Sequence, residues 1–344
     1  MPKRQPTKVG VDFQTLSTDG DLVKVLQLVA PPFLSHEIAF RQIRYISEYV
    51  VKLGAKSVAI ENHYIDRYHM EDHSVFYSKS LFPFPNFCRR VHFFNVDQAT
   101  VRRRLQGLLV TGLAKGLDEL QVASKEFCES TYLGFTIIKP LTGSPVGRTV
   151  LRPYPEVPED HSTGFRRDFG AVREYSLHLF GVELTVRGLA FQQQDVGVSA
   201  CATTAIWSAM QKMRDHEDIA AFTPAQITIL ASRYSLPFGR SMPSEGLSLD
   251  QMCQATQALG AAPNVVRTSD FATFKSYLHT TLRSGFAPIL ILESTIGRHA
   301  VAVAGMKLSV KSLRPAMTTS SSPVNVSSVY TSTMIDTARM YLAT

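Results

Sequence analysis

Two residues far apart in a chain of 344 have the chemistry for nucleophilic attack: a cysteine at position 201 and a histidine at position 299. A cysteine nucleophile works as its thiolate, and it needs a base that is usually distant in sequence and adjacent in space. The sequence changes character at Cys201. Polar and loop-forming residues precede it, and Ala202, Ala205, Ile206, Ala209 and Met210 follow at helical spacing. Cys201 is therefore predicted in the first turn of a helix, where unpaired backbone N–H groups and the positive end of the helix dipole favour a thiolate. The same N–H groups can hold the oxyanion of a tetrahedral intermediate, and Gln192, Gln193 and Gln194 are three candidates for a second donor.

The elements that must position this pair are legible nearby. Ala287–Glu293 is a predicted buried strand, residues 294–298 a turn containing Gly297, and His299–Met306 a second strand. Strand alternation puts His299, Val301 and Val303 on one face. Between the cysteine and these strands, Thr223 caps a helix with Pro224 at its first position, and Ser248 caps another that Gly260 terminates. A strand at Asn264–Thr268 and a helix at Phe271–Gly285 complete the expectation.

A glutamine, a cysteine opening a helix and, much later, a glycine turn followed by H-A-V-x-V-x-G resemble papain-like cysteine peptidases. The resemblance is closest to the double-glycine-leader, bacteriocin-processing group, and it spans residues 190–344. It implies an α+β domain in which a helix packs on an antiparallel sheet, and cleavage of a peptide or isopeptide bond in a peptide or protein substrate. Cys201 is then the nucleophile and His299 the base. The family's oxyanion glutamine stands six positions before the cysteine, where this chain has Asp195. Gln194 is the nearest substitute and Gln193 the next. The family's third member, an Asp or Asn that orients the histidine, corresponds to Asp336 or Asn325, or has no counterpart. A chain without it suits a second reading, a papain-fold binding or scaffold protein with weak or no turnover.

The first half reads as a separate α/β-type domain. A strand at Lys24–Ala30, a helix begun by Ser35 and a strand at Ser57–Glu61 open it. Helices at Ala99–Leu113 and Leu117–Phe127, a strand at Tyr132–Leu141 and an extended piece at Gly147–Pro155 follow. Arg173–Phe191 reads as a hairpin turning at Phe180-Gly181. The expected division is an amino-terminal domain at 1–175, for substrate or partner recognition, and a peptidase domain at 176–344. Thr318–Ser328 is a low-complexity loop.

At 44% hydrophobic and 19% charged, the composition is that of an ordinary globular protein. No apolar run reaches the roughly 20 residues of a membrane helix, and no apolar stretch follows the basic residues 1–10 as a secretory leader requires. A soluble, cytoplasmic protein with no membrane partner is expected. The four cysteines lack metal-type spacing, so neither a zinc cage nor a disulfide framework is expected, and no cofactor is implied. The net charge of +7 is spread along the chain, so nucleic acid is not an expected partner; Arg102-Arg103-Arg104 point to different faces of a helix. His63, His69, Glu71, Asp72 and His73 crowd one region, with His69 and His73 on one helix face. They read as surface polar residues, because a metal site needs three or four converging ligands and nothing else in the sequence guarantees them. The run Phe76–Phe94 reads as core packing broken by Pro83 and Pro85, and Trp207 as a core residue.

Overall fold

The computed structural model describes residues 10–16, 19–29, 37–81, 84–155, 165–195, 201–216, 220–233, 246–294 and 297–309. The fold is mixed α+β, in two compact units. The first unit comprises residues 1–152 and 174–193, and the second 153–173 and 194–344. The expected single division at 175 is thus replaced by a chain that enters the second unit, returns to the first and leaves it again.

The first unit is built on β1 (Val11–Thr15), α1 (Asp19–Val29), α2 (Glu37–Lys52), β2 (Ser57–Tyr64), α3 (Arg67–Val75), β3 (Cys88–Phe94), α4 (Gln98–Lys115), α5 (Leu117–Thr131), β4 (Tyr132–Ile138) and β5 (Val146–Leu151). After β6 (Phe165–Asp168), β7 (Arg173–Leu179) and β8 (Val182–Phe191) complete it. Seven strands form one sheet in the order β1-β2-β3-β4-β5-β8-β7. The pairings from β1 to β5, and of β5 with β8, are antiparallel. At the β7–β8 turn Phe180 and Gly181 both have positive φ, 53° and 81°, as a two-residue turn matched to strand twist requires.

The expected strand at Lys24–Ala30 lies within helix α1 as far as Val29, and Ala30 is outside the described residues. The run KVLQLV suits both periods. Leu22, Val25 and Leu26, spaced three and one apart, are buried at 0–6%, so the helical stripe prevails.

The second unit contains β6, α6 (Cys201–His216), α7 (Pro224–Ala231), α8 (Leu249–Ala258), α9 (Phe271–Arg283), β9 (Ile289–Ser294), β10 (Gly297–Ala302) and β11 (Met306–Ser309). β9 and β10 form one antiparallel pair, β6 and β11 another. Both expected caps form full capping boxes, Thr223 with Gln226 and Ser248 with Gln251. The expected strand at Asn264–Thr268 is irregular, with Val265 and Val266 about half exposed and no strand beside them among the described residues. β6 belongs here because it pairs with β11, and Gly305 just before β11 admits the Asp168 carbonyl where a Cβ would sit 2.5 Å away. Among the described residues no helix is long and apolar enough to cross a membrane.

Candidate active site

Cys201 is the first residue of α6 and is half-buried. Ala202, Ala205, Ile206, Trp207, Ala209 and Met210 on this helix are all buried, Trp207 at 1% exposure. α6 packs against β10, the strand that carries His299, and against α7 and α8. Cys201 and His299 thus lie on neighbouring elements of one unit. In the β9–β10 register His299 faces Leu292. Val301 and Val303, which alternate with it on one side, join Leu278 and Leu282 of α9 in a buried apolar cluster. That cluster fixes the strand, while His299, the third residue of β10, is half-buried.

Burial lowers the proton affinity of His299. The effect favours a neutral imidazole, the form that can accept a proton. Among the described residues no hydrogen bond joins the ring to the Cys201 thiol. Asp336 and Asn325 lie outside the described residues, as does the loop at 318–328.

The three glutamines separate clearly. Gln193 is committed to the first unit: its Oε1 accepts from the Val146 N–H at 3.2 Å and its Nε2 donates to the Gly143 carbonyl at 3.2 Å. Gln192 is buried in the same unit, and its Nε2 has no hydrogen-bond partner among the described residues. Gln194 alone shares a unit with Cys201, and it is half-buried.

The histidine-rich segment divides: His63 is exposed, Glu71 and His73 are half-buried, and His69 and Asp72 lie inside. His69 and Asp72 are 1% and 2% exposed, where the sequence suggests a polar surface. Asp66 caps α3 through its carboxylate and pairs with Arg148 at 3.0 Å. The Nε2–H groups of His69 and His73 donate to the carbonyls of Pro85 and Phe84, each at 3.0 Å, tying that loop to the helix. Burial pushes the proton affinity of His69 down to a pKa of about 4. Among the described residues no group of His, Cys, Asp and Glu could hold a metal ion.

A buried relay in the first unit escapes a motif-based reading. Glu61 Oε1 accepts from Arg90 Nε at 2.5 Å and from His92 Nε2 at 2.8 Å. The His92 proton therefore sits on Nε2, and Nδ1 accepts from the Tyr132 hydroxyl at 2.9 Å. Arg90 also donates to the His178 carbonyl at 2.6 Å, so β2, β3, β4 and β7 are tied together. Burial would raise the Glu61 carboxyl, but the hydrogen bonds and charges of His92 and Arg90 outweigh it and hold the group below the ordinary range. Burial lowers His92, against the opposing bond to Glu61. The signal in sequence was the alternation in CRRVHFF, which sets Arg90 and His92 on one strand face.

Comparison with protein-family models, curated proteins and solved structures finds no match to the chain.

Proposed function

We propose that the second unit is a papain-like cysteine hydrolase that cleaves a peptide or isopeptide bond, with Cys201 as nucleophile and His299 as base. The observation that carries this reading is the packing of α6, opened by Cys201, against β10, the strand of His299. In the reaction His299 takes the thiol proton, and the Cys201 sulfur attacks the substrate carbonyl carbon. The resulting oxyanion is held by the free N–H groups of the first turn of α6 and by the Gln194 amide. Collapse breaks the C–N bond as His299 returns its proton to the departing amine. Water, deprotonated by the same imidazole, then hydrolyses the thioester and restores the thiol.

The first unit selects the substrate or docks a partner. The second reading, a binding or scaffold protein on the same fold, draws on the absence of a hydrogen bond to the His299 ring among the described residues. A peptide library derived from a digested proteome separates the two. Turnover predicts new cleavage products with the intact chain and none with Cys201→Ala. Products equal in both leave only the scaffold reading.

A further inference from the structure

Residues 165–173 belong to the second unit and immediately precede the return of the chain to the first. They are held at three places. β6 pairs with β11, and beyond it the Ala171 N–H donates to the Ala304 carbonyl at 3.3 Å, just past the end of β10. Asp168 pairs at 2.8 Å with Arg283 in the last turn of α9, and a Cβ on Gly170 would collide with the Leu282 carbonyl of the same turn. Nη1–H of Arg173 donates to the Gln211 carbonyl of α6 at 3.0 Å. Ala171 and Val172, between these anchors, are 9% and 4% exposed. A connecting segment ordinarily runs over the surface with its backbone groups in water. This one spends a backbone N–H and a guanidinium on the carbonyls of two other elements.

The two elements held in this way are those that carry the candidate pair. Gln211 stands ten residues after Cys201, about 15 Å along an α-helix. Ala304 stands five residues after His299, about 16 Å along extended chain. α6 lies against β10, and Ala171 and Arg173 are two residues apart, so two arms of equal length are fixed at one end. We propose that residues 165–173 are a clamp that brings Cys201 level with His299, and that Arg173 is a positioning residue for the pair. The inference deepens the hydrolase reading, whose chemistry needs the thiol and the imidazole within hydrogen-bond reach. Sliding α6 by the rise of one residue, about 1.5 Å, breaks such a contact, so a bond at the far end of the helix matters to the pair. A clamp that served stability alone would lower the unfolding midpoint and leave the spacing of positions 201 and 299 in the folded chain untouched.

The test measures that spacing in the full chain. In His299→Cys, dibromobimane, which fluoresces on bridging two nearby thiols, is expected to join the introduced thiol to Cys201, as identified by peptide mass. Adding Arg173→Met is expected to slow the bridging about fivefold through the loss of one charged hydrogen bond, and Arg173→Lys in its place restores most of the rate. Unchanged circular dichroism and Trp207 fluorescence identify folded variants. Where Arg173→Met does not fold, Arg283→Met releases the α9 anchor from a side chain 62% exposed and is expected to slow bridging about twofold. No bridge in His299→Cys, or a rate indifferent to Arg173→Met, overturns the proposal, as does a rate indifferent to Arg283→Met where that variant decides. Bridging that depends on Arg173 upholds the clamp even if His299→Ala leaves Cys201 alkylation unchanged, an outcome that removes only the hydrolase reading.

Discussion

Truncating Glu61 tests the buried relay most sharply, because one carboxylate oxygen serves two donors. In Glu61→Ala the Arg90 guanidinium, with its side chain 6% exposed, keeps the His178 carbonyl and the Tyr64 ring 4.1 Å below it but loses its counter-charge. The Nε2–H of His92, fully buried, loses its acceptor. Removing one partner of a buried ion pair costs about 3–5 kcal/mol. Glu61 is itself 20% exposed, so water reaches the vacated position and the expected loss is at the lower end, about 3 kcal/mol. Hydrogen exchange of β3 and β4 against urea reads this loss in the first unit. Fluorescence of Trp207, the single tryptophan, reads the second unit. Adding Arg90→Met removes the orphaned charge and is expected to recover at least half of the loss. A cost under about 1 kcal/mol, or no recovery in the double variant, refutes the reasoning.

Acidification acts on the same relay. Glu61 is depressed below its ordinary 4.5, so its contribution is full above that value and disappears as pH falls through the lower folded value. His92 is also lowered, from 6.5, so the fold favours its neutral form and loses stability as pH drops below 6.5. Protection of β3 and β4 is expected to fall from pH 7 to pH 4, with a shallower fall in His92→Phe; equal slopes contradict this assignment. Gly305→Ala sets a Cβ 2.5 Å from the Asp168 carbonyl and 3.0 Å from Phe169 Cα, both backbone atoms. It should cost about 1–3 kcal/mol in Trp207-monitored urea unfolding, as overpacking does. Gly107→Ala, where nothing lies within 4 Å of the added Cβ, should stabilise the first unit by up to about 1 kcal/mol in urea-dependent hydrogen exchange.

Local signals carried most of the element assignments. Thr223 and Ser248 form the caps their spacing to Gln226 and Gln251 implies, and Cys201 opens a helix where polar sequence gives way to a helical apolar stripe. Phe180-Gly181 turns the hairpin as read. The misread segments are those where two periods fit one run, as in Lys24–Val29, or where β-branched residues lack a pairing partner, as at Val265-Val266. Unit membership was hidden for a different reason. β6 lies 138 residues from its partner at the Asp168–Met306 pair, and composition around residue 170 carries no trace of that pairing. The candidate dyad was legible because helix start and strand alternation are local patterns. The Glu61–His92–Tyr132 relay was not, because its members come from three strands and meet only in the sheet.

The central claim is that Cys201 and His299 act as one unit of chemistry, and iodoacetamide alkylation mapped by peptide mass tests it directly. Cys201 and Cys253 are both half-buried, so Cys253 on α8 is an internal control for access. At pH 7, His299→Ala is expected to slow alkylation of Cys201 about tenfold and leave Cys253 unchanged, since the thiol loses the base that takes its proton. Equal Cys201 rates in the intact chain and in His299→Ala contradict the account.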